Sequence, residues 1–168
     1  MRLITLISAI AVLAGPADAG DWNGPYVGGQ AGIRTSAASP DGGEASYGVF
    51  GGYDIDFGRV VLGGEIEYQR LDLTQTASGV ALNSVERLKL RAGGDFGAGM
   101  AYAIIGGVNG DTSLGRETGV VYGVGLQTAV NDRLHISGEA LRQVIDDFAG
   151  SGSDLQSESF NVRVLFRF

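Results

Sequence analysis

The chain closes on Asn161-Val162-Arg163-Val164-Leu165-Phe166-Arg167-Phe168, and the reading of NVRVLFRF decides the fold. Phe160, Val162, Val164, Phe166 and Phe168 are apolar at every second position, while Asn161, Arg163 and Arg167 lie between them. Side chains that alternate with period two belong to a β-strand with two unlike faces. One face here is greasy; the other can hydrogen-bond or carry charge. A terminal strand ending on an aromatic would be an adhesive edge in an ordinary soluble domain. Another strand must therefore cover that edge, and something apolar must meet the greasy face.

The remainder of the composition narrows the classes. A chain of 168 residues fits one domain, and its 29 Gly against 3 Pro, without a G-X-Y period, suits many strands and turns rather than collagen. It is also too apolar for a disordered tail. A formal net charge of -7 argues against nucleic acid as a partner, because phosphates need a basic patch. The absence of cysteine removes disulfide scaffolds and thiolate metal sites, and no motif calls for a cofactor.

The first residues read as a targeting segment. Arg2 supplies a positive start, Leu3 to Ala14 is an apolar stretch too short to cross a bilayer, and Ala17-Asp18-Ala19 is an A-x-A cleavage site. The expected organisation is a signal peptide over residues 1–19 and one barrel domain over residues 20–168; the competing reading is an N-terminal buried helix. No later stretch has the roughly 20 consecutive apolar residues of a transmembrane helix, so any membrane residence must come from strands.

Seven period-two stretches precede the last. Val27, Gly29, Ala31 and Ile33 alternate with Gln30, Gly32 and Arg34, and Tyr47, Val49, Gly51, Tyr53, Ile55 and Phe57 alternate with Ser46, Gly48, Asp54 and Asp56. Val60, Leu62, Gly64, Ile66 and Tyr68 oppose Glu65, Glu67 and Gln69, and Leu88, Leu90, Ala92, Gly94 and Phe96 oppose Arg87, Lys89, Arg91 and Asp95. The fifth stretch puts Met100, Tyr102, Ile104, Gly106 and Val108 on one face, taken as the apolar one. Val120, Tyr122, Val124, Leu126 and Val130 follow against Gly123, Gly125 and Gln127, then Leu134, Ile136, Gly138 and Ala140 against His135, Ser137, Glu139 and Gln143.

Connections alternate as well. Short turns follow strands two, four and six, whereas longer polar segments at 36–44, 74–83, 109–117 and 146–157 follow the odd strands. All long loops then sit at one end and both termini at the other. This predicts an all-β, eight-stranded antiparallel up-and-down transmembrane barrel, with short periplasmic turns and long extracellular loops, closed by pairing the first strand with the last.

Alternation alone does not say which face points inward. A soluble barrel of the lipocalin kind also has eight strands behind a signal peptide, and Gly20-Asp21-Trp22 matches the short G-x-W of such proteins. Glu65, Glu67, Arg87, Lys89 and Arg91, however, share one face of adjacent strands. Turned toward lipid, each basic member would cost about 2–4 kcal/mol at the midplane, so a membrane barrel must turn them inward. Phe57, Phe96, Tyr102, Phe166 and Phe168 group at the short-turn end of the apolar face, and Tyr47, Tyr68, Tyr122 and Phe160 toward the other end. Two aromatic bands belong to bilayer interfaces; a ligand cavity has no reason for them.

The start WNGPYVGGQAG, the eight phased strands and the closing aromatic resemble the OmpA-like or Omp25-like outer-membrane β-barrel proteins of Gram-negative bacteria. The resemblance covers Asp21 to Phe168. It implies a cell outer membrane protein, porin-like in fold, with lipid and lipopolysaccharide around it, and no enzymatic activity. It also implies that the barrel-assembly machinery reads the last strand, so Val164, Phe166 and Phe168 would be an assembly signal. The chain departs from full-length OmpA in that no peptidoglycan-binding domain follows, so no cell-wall tether is implied. A monomer is expected.

The lumen-facing charges Glu65, Glu67, Arg87, Lys89, Arg91, Glu139 and Arg163 form the candidate site. They read as an ion-paired plug, since an eight-stranded interior is just wide enough to be filled by side chains. The alternative is a narrow pore gated by partner exchange. His135-x-Ser137-x-Glu139 holds the residue types of a hydrolase, and an outer-membrane lipid A deacylase is a small barrel with His-x-Ser, which makes a lipid-modifying enzyme the further alternative. All three face the polar side, though, where an interior hydrogen-bonded ladder explains them. Asp41, Glu44, Asp111, Asp146, Asp147 and Asp154 follow no fixed ligand spacing and read as solvated loop charge rather than a Ca²⁺ site. Gly123-x-Gly125 lacks the third glycine and helix of a dinucleotide site, and Arg142, on the apolar phase, snorkels toward headgroups.

Overall fold

The computed structural model describes residues 22–36, 39–71, 82–112, 115–145 and 155–168. The expected signal segment lies outside them, as do Asp146, Asp147, Asp154 and the side chains of Asp41 and Asp111. Eight strands follow one another: β1 (Gly24–Ser36), β2 (Ser39–Asp56), β3 (Val60–Leu71), β4 (Leu82–Asp95), β5 (Met100–Thr112), β6 (Gly115–Ala129), β7 (Leu134–Ile145) and β8 (Leu155–Arg167). Each pairs antiparallel with the next, and β8 returns to β1 to close the barrel. The closing seam runs from Tyr26↔Arg167 to Ser36↔Ser157, so the edge of NVRVLFRF is covered by the first strand. Phe168 is tied down as well, its N–H donating to Pro25 O at 3.1 Å.

The three short turns are built by side-chain caps. Asp56-Phe57-Gly58 and Asp95-Phe96-Gly97 repeat one device: the Asp Oδ1 accepts from the Gly N–H two residues on, at 2.6 and 2.7 Å. Gly58 and Gly97 take φ of 92° and 86°, a left-handed conformation that glycine adopts without steric cost. At the third turn, Asn131 Oδ1 accepts from the N–H groups of Arg133 and Leu134 at 3.0 and 2.9 Å.

The barrel is polar inside and apolar outside. Val49, Ile66, Leu88, Leu90, Ile105 and Val124 are each more than 60% exposed, whereas Glu65, Glu67, Arg87, Lys89, Glu139 and Arg163 are all but inaccessible. A soluble ligand-binding barrel has the opposite polarity, and that alternative is thereby set aside. Phe57, Phe96, Phe166 and Phe168 stand outward at the short-turn end, with Tyr47, Tyr68 and Tyr122 outward toward the other.

Two expectations are corrected. On β5, Met100, Tyr102, Ile104 and Val108 face the lumen, and Ala101, Ala103 and Ile105 face out. Register explains it: Ile104 pairs with Arg91, Gly106 with Lys89 and Val108 with Arg87, and directly opposed residues share a face. Tyr102 therefore leaves the aromatic band. Second, the segments 36–44 and 109–117 are mostly strand, since β1 and β2 are separated only by residues 37–38, and β5 and β6 only by 113–114. Their polar side chains belong to strands that run on past the apolar belt. At 18 residues, β2 is far longer than the roughly 9–11 that cross a bilayer.

Candidate functional site

The lumen holds one connected set of charges in three levels. Register sets the central level, because Glu65 and Glu67 on β3 pair directly with Lys89 and Arg87 on β4. Lys89 Nζ lies 2.7 Å from Glu65 Oε1, 2.7 Å from Glu67 Oε2 and 3.0 Å from Glu139 Oε2, so one ammonium joins carboxylates from two sides of the barrel. Arg163 on β8 completes the group. Its Nη1 meets Glu139 Oε1, its Nη2 lies 2.6 Å from Glu65 Oε1 as an ion pair without hydrogen-bond alignment, and its Cζ lies over the Phe50 ring, 3.6 Å from the centroid. Tyr26 and Tyr102 donate their hydroxyls to Glu65 Oε2 and Glu139 Oε1 at 3.0 and 2.9 Å.

Toward the short-turn mouth, Asp54 takes two guanidinium groups. Arg91 grips it through Nε at 2.8 Å and through Nη2, and Arg167 Nη2 donates to Oδ2 at 2.7 Å. Arg91 also sits 4.6 Å from the Tyr26 ring and 5.2 Å from the Tyr102 ring, a cation–π contact with each. These groups fit because several lumen-facing positions have no side chain, Gly63 and Gly125 among them. A Cβ on Gly63 would collide with Asp54 Oδ1, and one on Gly125 would collide with the Tyr102 ring. Below Asp54, Trp22 closes the mouth: its indole N–H donates to Asp95 Oδ2 at 3.0 Å and its ring meets the His135 ring edge-on at 5.2 Å. Toward the far mouth, Arg87 Nη1 donates to Glu67 Oε1 and to Gln69 Oε1 at 2.8 Å, and Gln69 Nε2 donates to Ser46 and Asn161 at 2.9 and 3.2 Å.

All seven charged residues picked from the sequence thus face the lumen and contact one another or a shared partner. Sequence reasoning missed Asp54 as an anchor, Trp22 as the plug, and Tyr26 and Tyr102 as donors. Asp54 had a signal, since it lies on the polar phase of β2; the tyrosines had none, because β1 and β5 carry no charged residue of their own near that end. His135, Ser137 and Glu139 are buried but do not form a catalytic set. His135 Nδ1 contacts Gln127 Nε2 at 3.1 Å, no hydrogen bond joins the imidazole to Ser137 Oγ, and Glu139 is engaged by Lys89, Arg163 and Tyr102. Among the described residues no His, Cys, Asp and Glu cluster is arranged to hold a metal. Val164, Phe166 and Phe168 point outward and about half-exposed or more, with the last two rings edge-to-face at 5.4 Å.

A closed antiparallel barrel with a charged interior and an apolar, aromatic-banded exterior is the architecture of an outer-membrane protein. The chain belongs to the outer membrane protein beta-barrel domain family, which matches residues 4–168. It is accordingly a transmembrane protein of the cell outer membrane. Among solved structures it is similar to Neisserial surface protein A (NspA), at 13% identity and a TM-score of 0.59, over 86% of this chain and 97% of that one. It is also similar to Ail, the attachment invasion locus protein of Yersinia pestis, at 13% identity and a TM-score of 0.51, over 86% and 96%. A second Ail structure, in complex with the heparin analogue sucrose octasulfate, matches at 14% identity and a TM-score of 0.52, with the same coverage. At these identities the likeness is one of fold. Sequence comparison with curated proteins returned no significant match.

Proposed function

We propose that this barrel is a non-enzymatic surface protein of the envelope, a monomer in outer-membrane lipid and lipopolysaccharide, closed to solutes and presenting the far ends of its strands outside. The observation that carries the reading is the lumen. Its central charges are paired across the barrel axis and Trp22 is buried at the short-turn mouth with 1% exposure, which supports a lumen filled by side chains rather than a standing aqueous channel. Surface presentation is supported by the length of β2 and by the names of NspA and Ail, a surface protein and an attachment protein. The sulfated ligand of the second Ail structure is not carried over, because the segments at the outer end are rich in Asp and Glu in a chain of net charge -7. Recording from planar bilayers containing the purified, folded barrel tests closure. Baseline current without a standing conductance is expected, and a persistent ohmic conductance would mean that the barrel is a pore.

A further inference from the structure

Six cations, Arg34, Arg87, Lys89, Arg91, Arg163 and Arg167, and four carboxylates, Asp54, Glu65, Glu67 and Glu139, are buried among the described residues. The surplus is local. Arg87, Lys89 and Arg163 meet Glu65, Glu67 and Glu139, while Arg91 and Arg167 share Asp54, and Trp22, whose carbonyl accepts from Arg167, donates to the half-buried Asp56 and Asp95. Arg34, at the outer end of β1, is left over. It is 4% exposed, and among the described residues its charged neighbours are Arg87, which repels it, and the half-buried Glu44, its register partner on β2, which makes no ion pair with it.

The atoms around Arg34 are short of acceptors. Its Nη2 donates to Ser157 Oγ at 2.8 Å, but its Nη1 is buried without a partner. Ser157 pairs across the β7–β8 seam with Gln143. Gln143 Oε1 accepts from Arg87 Nη2 and Nε at 3.1 and 3.3 Å, which leaves Gln143 Nε2 buried and unpartnered as well.

We propose that Arg34 Nη1 and Gln143 Nε2 form a binding site for one small monovalent anion of chloride size, entered from the outer mouth. Water can accept from both donors, yet it leaves the guanidinium charge uncompensated in a place from which bulk solvent is excluded, and an unpaired buried charge is strongly unfavourable. An anion satisfies the donors and the charge together. Size follows from the barrel: an eight-stranded interior already filled by side chains has room for a halide rather than a large oxyanion. This inference concerns the lumen alone and stands whatever the exposed strand ends contact.

The test is anomalous diffraction from crystals of the folded full barrel soaked in sodium bromide. The expected result is a bromide peak in hydrogen-bond contact with Arg34 Nη1 and Gln143 Nε2. That peak should be lost in Arg34→Gln and weakened in Gln143→Leu, which covers the case that the charge variant does not fold. The inference is overturned if wild-type crystals show water at the position, if the Glu44 carboxylate has swung onto the guanidinium, or if bromide appears only on the solvent-exposed surface.

Discussion

Lys89 brings one positive charge into a dry interior where three carboxylates converge, and the central level depends on it. Without it, Arg87 and Arg163 would face Glu65, Glu67 and Glu139 with one negative charge unbalanced. Breaking a buried ion pair from one side costs about 3–5 kcal/mol, whereas removing both partners is often close to neutral. Lys89→Met is therefore expected to destabilise the barrel by about 3–5 kcal/mol, and Lys89→Met combined with Glu65→Gln to recover most of the loss. Urea unfolding in lipid vesicles measures both, followed by fluorescence of the single tryptophan, Trp22, which the lumen buries. An additive double variant would mean that Lys89 and Glu65 act independently, against the shared network.

At the scale of the strand, legibility followed charge. Between the two aromatic bands β3, β4, β7 and β8 carry Glu, Arg or Lys on one phase only, while the outward-phase charges Arg70, Glu86, Arg142 and Glu158 lie toward the outer ends, so their inward faces could be read directly from the sequence. β5 carries no charge between Met100 and Val108, and its two faces are both apolar, the inner one bulkier. Hydrophobicity then pointed the wrong way, because apolar side chains also line part of the lumen, where Trp22, Met100, Tyr102, Ile104, Val121 and Leu141 belong to one buried cluster. Only register with β4 settles the phase, and register is a property of the pair. The same limit applies to the two outer connections that proved to be strand, since polar residues on a strand beyond the bilayer look like loop. Single cysteines check the phase of β5. Ile105→Cys in the otherwise cysteine-free chain should react with a membrane-soluble maleimide in the folded barrel, and Ile104→Cys should be protected until unfolding; the reverse pattern would restore the opposite phase.

Across the whole molecule, the protein is the inverse of a soluble domain. The greasy face of each strand meets lipid, the polar face meets other polar faces across a narrow lumen, and the last strand closes on the first so that no edge remains. Closure makes every strand a neighbour of two others, so the barrel should survive conditions that unfold open sheets. The most direct test is the gel mobility of the protein from carbonate-washed outer membranes, run in SDS with and without boiling. A closed transmembrane barrel predicts that it stays with the washed membrane and runs at a different position unboiled than boiled. Release into the soluble fraction, or one position under both conditions, would contradict the account.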